Sequence, residues 1–124
     1  MSKPVTVAII QGNWDTARVL ATCMVDEGWS AAVWFGVPHD ATDIRAFLHR
    51  NSPRVCLYDA GRGDGRSWED LPELAAAFPD CRFIALTTGQ VKDLESPAPG
   101  VTLVQQPFDL DDLCHAVRMA LRGT

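Results

Sequence analysis

Residues 55–65 read Val-Cys-Leu-Tyr-Asp-Ala-Gly-Arg-Gly-Asp-Gly, and the fold prediction starts from them. Residues 55–58 form an apolar run of the kind found in a strand buried on both faces, and Asp59 ends that run. The glycine-rich stretch 60–65 follows and favours a loop. In open α/β sheets, ligands bind outside the carboxyl ends of the strands. Asp59 is therefore the first candidate site residue.

Similar apolar runs recur on both sides of this strand. Between most of them, apolar residues are spaced by three and four positions, which is typical of amphipathic helices. We expect strands at residues 5–10, 31–35, 55–58, 82–87 and 101–104. Helices are expected after the first, second, third and fifth strands.

The ends of the helices also carry sequence signals, and Gly28 is expected to end the first helix. The residues expected to start the helices are Asn13 or Asp15 for the first, Asp40 for the second, Ser67 with Asp70 as a capping box for the third, and Asp109 or Asp111 for the last. Residues 88–100 contain two glycines and two prolines, which leaves room for at most a short helical turn at 90–94.

Strands that alternate with helices favour parallel pairing with right-handed crossovers. The predicted architecture is thus an α/β three-layer sandwich around a five-stranded parallel sheet. We expect residues 1–124 to form a single domain with this architecture.

Composition restricts the functional class. The chain has 16 acidic and 11 basic residues and a net charge of −5, and it carries no basic stripe, so direct binding to nucleic acid is disfavoured. No apolar run approaches the roughly 20 residues of a membrane span, and the amino terminus lacks a signal-peptide pattern. We expect no association with a membrane.

The four cysteines are spread along the chain without a C-x-x-C pair; they are Cys23, Cys56, Cys81 and Cys114. Such cysteines are typical of small buried apolar residues rather than of metal ligands or disulfide partners. This pattern predicts a reducing, cytoplasmic location.

The acid that ends strand three, the hydroxyl that ends strand four and the sequence Gln106-Pro107-Phe108-Asp109 after strand five resemble the receiver domain of two-component response regulators. The resemblance covers essentially the whole chain and implies the flavodoxin-like, CheY-like doubly wound (βα)5 fold. It also implies that Asp59 accepts a phosphoryl group from a histidine kinase and that Thr87 is the hydroxyl that moves towards it. By the same analogy, the bond before Pro107 is a candidate cis peptide.

Several polar positions depart from the family pattern. The acidic pair that holds magnesium in the family aligns with Gln11 and Gly12, and the lysine that contacts the phosphoryl oxygens aligns with Gln106. Magnesium prefers hard, anionic oxygens, and a neutral amide cannot replace an ammonium counter-ion. We expect no metal or other cofactor. A rebuilt Mg²⁺ site that uses Asp15 or Asp64 is the disfavoured alternative.

The signalling face is also altered, because Leu103 stands where the family commonly has an aromatic switch residue. Two tryptophans are candidates for compensating roles. Trp14 follows the altered Gln11–Gly12 positions and could cover the mouth of the pocket, and Trp68 could serve as an exposed anchor for a partner.

The favoured hypothesis is an atypical receiver that acts by protein–protein interaction with a degraded phosphorylation pocket, and not an enzyme. Its expected partners are a histidine kinase, an output domain or a second copy of the chain. One alternative keeps phosphorylation of Asp59. Another, from a different class, is an α/β domain that binds a nucleotide or small molecule through Gly12 and the loop 61–65.

Overall fold

The computed structural model describes residues 5–36, 41–63, 65–89 and 98–123. The strands are β1 (Val7–Gln11), β2 (Ala31–Phe35), β3 (Val55–Asp59), β4 (Arg82–Thr87) and β5 (Val101–Gln105). The helices are α1 (Trp14–Asp26), α2 (Ala41–Asn51), α3 (Arg66–Ala77) and α4 (Leu110–Arg122). The predicted strands are therefore confirmed to within about two residues at their ends. Asp40, Asp64 and the predicted turn at 90–94 lie outside the described residues.

All strand pairs are parallel, and the order across the sheet is β2-β1-β3-β4-β5. This order reverses direction between β1 and β3, which is the switch point of a doubly wound sheet. The predicted α/β fold is confirmed. The crevice outside the carboxyl ends of β1 and β3 is the place where this fold puts its binding site.

Side chains that alternate along the strands form two apolar cores, one on each face of the sheet. The first core packs strand residues against α2 and α3, whose buried contributions are Ile44, Phe47, Leu48, Leu71 and Leu74. The second packs against α1 and α4, whose buried apolar contributions include Leu20, Met24, Leu113 and Val117. The sheet is thus buried on both faces, which confirms the three-layer sandwich.

Two of the predicted helix starts are confirmed and one is wrong. Asn13 caps α1 by accepting from the backbone N–H of Thr16, and Asp109 caps α4 by accepting from that of Asp111. The capping box at Ser67 and Asp70 does not form. The chain reaches α3 from an extended Gly65, which makes no side-chain cap, so the helix begins one residue before Ser67.

The helices of the described residues are short. The longest, α1 and α4, have 13 residues each, and none is long and apolar enough to cross a bilayer.

Candidate functional site

The carboxyl ends of β1 and β3 bring Gly12 and Asp59 together. A side chain built on Gly12 would place its Cβ 3.9 Å from Oδ2 of Asp59 and 3.3 Å from the carbonyl oxygen of Gly36. The three residues therefore surround one small crevice. Asp59 is half-buried there, and its Oδ1 accepts a 3.1 Å hydrogen bond from the backbone N–H of Gly61.

Gln11 is almost fully buried, and its side chain turns back onto its own loop. Its Oε1 accepts hydrogen bonds from the backbone N–H groups of Gly12, at 3.0 Å, and Asn13, at 3.2 Å. These N–H groups immediately precede α1, where the backbone would otherwise lack acceptors. The amide oxygen thus stabilises the loop that leads into α1.

Thr87 is fully buried at the end of β4. Its hydroxyl donates to the carbonyl oxygen of Gly61 at 2.9 Å and accepts from the backbone N–H of Gly89 at 3.0 Å. Both hydrogen-bonding roles of the hydroxyl are therefore used within the loops.

These loops are further joined by backbone contacts. The carbonyl oxygen of Gly61 also accepts from the N–H of Thr88 at 2.8 Å, and the N–H of Ala60 donates to Leu86 at 2.8 Å. Gly61 adopts a φ of +59°, in the left-handed region that favours glycine. The loop after β3 is consequently tied to the end of β4 at several points.

The turn after β5 completes the site. The Gln106–Pro107 peptide bond is cis, and the backbone N–H of Gln106 donates to the carbonyl oxygen of Thr87 at 2.7 Å. The side chain of Gln106 is half-buried and lines a groove with Asp15 and Val19 of α1. Gln106 therefore lies at the same edge of the sheet as Thr87.

The donor set does not fit a magnesium ion. Magnesium needs several oxygen ligands in near-octahedral geometry, preferably carboxylates. Gln11 already uses its oxygen on two N–H groups, and Gly12 has no side chain, which leaves the Asp59 carboxylate. Among the described residues, no three His, Cys, Asp or Glu side chains converge as a metal site. Asp15 is exposed in the first turn of α1, and Asp64 lies outside the described residues.

The tryptophans behave differently from each other. Trp14 is 55% exposed and packs edge-on against Phe35, with 5.2 Å between ring centroids, so an exposed aromatic pair stands beside the crevice. Trp68 is half-buried against the core under α3, which corrects its expected role as an exposed anchor. Its position in the first turn of an amphipathic helix, on the face that packs against the core, explains the burial. Leu103 is likewise half-buried against that core.

Two features of the site were not predicted from the sequence. A Cβ on Gly89 would overlap the carbonyl oxygen of Arg62, so only glycine allows these two loops to approach. The hydroxyl of buried Tyr58 donates to the carbonyl oxygen of Ser67 at 2.9 Å and joins β3 to the start of α3. Burial, then the negative charges of Asp70, Cys56 and Asp59, raise the pKa of Tyr58 well above its usual value.

Comparison with known proteins identifies the fold. No known protein-family model matches the chain, and no curated protein sequence does. Solved structures do match it. The receiver domain of NtrX from Brucella abortus has a TM-score of 0.76 and 19% identity over 95% of this chain and 99% of that one. A response regulator from Thermotoga maritima has a TM-score of 0.72 and 19% identity over 97% of this chain and 99% of that one.

A longer NtrX chain from Brucella abortus, crystallised with ADP, also matches. Its TM-score is 0.75 and its identity 20%, over 98% of this chain, but this chain spans only 27% of that one. These likenesses show that the protein has the fold of response regulator receiver domains.

Proposed function

We propose that this chain is an atypical receiver domain of two-component-type signal transduction. It acts in the cytoplasm as a signalling module and not as an enzyme, and its output comes from protein–protein contacts because its metal-dependent phosphorylation pocket is degraded. The observation that carries the proposal is the orientation of Gln11, whose Oε1 already accepts from the N–H groups of Gly12 and Asn13.

The charges of the pocket support the same conclusion. Transfer of a phosphoryl group to a carboxylate depends on positioning and on neutralising the charge that accumulates there. At the three positions where the family has two acids and a lysine, this chain has Gln11, Gly12 and Gln106. None of them supplies a charge, so these three positions provide neither acidic metal ligands nor an ammonium group to balance a phosphorylated Asp59.

The surroundings of Thr87 also weigh against a conventional switch. A switch hydroxyl must leave its resting partners when the aspartate is phosphorylated. Here the hydroxyl joins the loops at Gly61 and Gly89, so its movement would take this acceptor from the N–H of half-buried Gly89 and remove one of the donors to the Gly61 carbonyl oxygen. The geometry favours a fixed loop arrangement.

A partner is expected beside the crevice. The exposed pair of Trp14 and Phe35 offers aromatic surface of the kind that anchors protein interfaces. The proposed occupant is a signalling protein, either a histidine kinase or an output domain, with a second copy of this chain as the remaining candidate.

The test is phosphorylation by acetyl phosphate with Mg²⁺, followed by intact-protein mass. The wild-type chain is expected to gain no phosphate. The double variant Gly12→Asp, Gln106→Lys is expected to gain it, because the new Cβ lies 3.9 Å from Asp59 and needs only a small shift of Gly36. Gly65→Asp with Gln106→Lys is the matched control, since a Cβ on Gly65 has no neighbour within 4 Å.

A result against the proposal is equally clear. Phosphate on the wild-type chain that disappears in Asp59→Asn would show a working phosphoacceptor. That is the second candidate function, a receiver that is still phosphorylated on Asp59. The observation that favours it is the half-buried, reachable carboxylate of Asp59 at the switch point of the sheet.

A further inference from the structure

Two cysteines from distant parts of the chain meet on the face of the sheet covered by α1 and α4. Sγ of Cys23, on α1, lies 2.9 Å from Sγ of Cys114, on α4, although 91 positions separate them. Both thiols are free. A disulfide needs the sulfurs about 2.05 Å apart, so an approach of less than an ångström would join them.

The neighbouring side chains hold this juxtaposition independently of the thiols. One helical turn further along, Glu27 and Arg118 form an ion pair of 2.9 Å, and the Arg118 guanidinium stands over the ring of Trp29 at 6.0 Å. Glu27 follows Cys23 by four residues, and Arg118 follows Cys114 by four. The ion pair and the thiol pair therefore lie one turn apart and require the same alignment of α1 against α4. The thiols are therefore preorganised.

The two sulfurs differ in access. Cys23 is half-exposed and lines an open groove along α1 with Arg18 and Asp26. Cys114 is buried in the core that α1 and α4 form. The other two cysteines, Cys56 and Cys81, are buried in the core on the opposite face of the sheet. A small oxidant thus reaches Cys23 first, and Cys114 is the only thiol within bonding reach of it in the described structure.

We propose that Cys23 and Cys114 form a reversible disulfide that makes this chain sensitive to hydroperoxides. The Cys23 thiolate attacks one oxygen of hydrogen peroxide, the O–O bond breaks, and Cys23 becomes a sulfenic acid as hydroxide leaves. That hydroxide takes up the proton that the Cys23 thiol had lost and becomes one water. Cys114 then attacks the Cys23 sulfur, and the S–O bond breaks as the S–S bond forms. The departing hydroxide takes the Cys114 proton and leaves as a second water. Two thiols are oxidised by two electrons and one peroxide is reduced.

This disulfide would clamp the two helices that start on either side of the candidate site, since α1 follows Asn13 and α4 follows Pro107. Reversible disulfides in reducing compartments are typically redox-sensing ones. The inference is independent of the proposed function, because it uses neither Asp59 nor the crevice.

The second step is expected to accelerate at higher pH. Burial, the hydrogen bond with Cys23, and the charges of Cys23 and Glu27 raise the pKa of Cys114 to about 12, against the opposing effect of Arg118. The Cys114 thiol is therefore mostly protonated at neutral pH, and the attacking thiolate becomes more abundant as pH rises.

The test is treatment of the intact chain with hydrogen peroxide, followed by non-reducing peptide mapping. We expect one cross-linked peptide that contains Cys23 and Cys114, a fall from four free thiols to two, full reversal by dithiothreitol, and a rise in Tm of roughly 10 °C. Cys81→Ser is the matched control and should respond like the wild type. Cys114→Ser should stop at a Cys23 sulfenic acid that dimedone traps.

Other products would overturn the proposal. These are disulfide-linked dimers through Cys23, a sulfinic acid on Cys23 with Cys114 still a thiol, or a link between Cys56 and Cys81. The wild-type peptide map distinguishes these products by itself, even if Cys114→Ser does not fold. Failure here leaves the acetyl phosphate experiment unaffected, so the two proposals fail separately.

Discussion

The two sides of the crevice at the carboxyl edge of the sheet are built differently. On the β3–β4 side, the Thr87 hydroxyl donates to Gly61 and accepts from Gly89, which ties the two loops together next to Asp59. On the β1 side, the Gln11 amide satisfies only its own loop, and Gly12 has no side chain. The β3–β4 side is thus held by hydrogen bonds between two strand ends, whereas the hydrogen bonds of the Gln11 side chain stay within the loop after β1.

This difference shows that the loop after β3 is held without hydrogen bonds from the β1 side. The loop after β3 is held by hydrogen bonds to Leu86, Thr87 and Thr88 of the neighbouring strand end. A metal-binding acid on β1 contributes nothing to those bonds. We infer that the β1 side can lose its chemistry without loss of the fold, whereas changes on the β3–β4 side should destabilise the protein.

The largest expected loss comes from Gly89→Ala. The added methyl would overlap the carbonyl oxygen of Arg62, so one of the two loops must move, at a cost of about 3 kcal/mol in the free energy of unfolding. Urea denaturation measures it. Gly65→Ala is the control and should change stability much less, because its Cβ meets no atom within 4 Å. Equal effects of the two variants would mean that the loops do not constrain each other.

Thr87→Val should cost about 2 kcal/mol. The change keeps the shape of the buried side chain but leaves the N–H of Gly89 without its acceptor and removes one donor to Gly61. Thr88→Val is a suitable comparison, because Thr88 is exposed and its hydroxyl reaches the same Gly61 oxygen only at 3.4 Å. Equal stability of the two variants would contradict the inference that the Thr87 hydroxyl stabilises the β3–β4 side.

Alkaline pH should destabilise the fold through its buried thiols, among them Cys56 and Cys81 at the amino ends of β3 and β4. Burial raises the pKa of Cys81, just before β4, from 9.0 to about 12, and burial together with the charge of Cys81 raises that of Cys56, on β3. The unfolded chain loses these protons above pH 9 while the folded chain keeps them. Stability present below pH 9 is therefore lost as pH rises towards 12, by about 1.4 kcal/mol per pH unit for each such group.

Urea midpoints between pH 8 and pH 11 test this slope under reducing conditions. Cys81→Ala should reduce the loss of unfolding free energy per pH unit by the contribution of one thiol. A decline that is unchanged in Cys81→Ala would assign the alkaline effect to other residues.

The smallest loss is expected on the β1 side. Gln11→Leu keeps the volume of the side chain but removes the acceptor for the N–H groups of Gly12 and Asn13. Both of those residues are exposed, so water can take the place of the amide oxygen, and we expect a cost of about 1 kcal/mol or less. A loss of unfolding free energy as large as that of Gly89→Ala would show that both sides of the crevice stabilise the protein equally.

Much of the fold was predictable because buried strands and helices have characteristic local patterns of apolar residues. A strand covered on both faces needs a continuous apolar run, and such a run predicted β4 at its observed bounds. The half-buried edge strand β2 was also predicted at its observed bounds. The start of α3 was not predictable in this way. Ser67 and Asp70 have the spacing of a capping box, but the backbone of Gly65 already enters the helix, so the local pattern had no effect.

In the candidate site, too, some features were predictable from the sequence and others were not. The positions of Asp59, Thr87 and Gln106 at strand ends followed from the sequence and its resemblance to receivers. The overlap that excludes a Cβ at Gly89 and the inward turn of Gln11 did not, since each depends on which atoms of other loops lie nearby.

The sequence by itself determined the order of strands and helices, the acid that ends β3 and the neutral residues Gln11, Gly12 and Gln106 beside it. Only the tertiary structure decided that Thr87 joins two loops and that Cys23 meets Cys114. The physical reason is range. Periodic burial involves residues that are close in sequence, so the spacing of apolar residues reveals it. A contact between residues 91 positions apart forms only when the sheet and its helices bring the two side chains together.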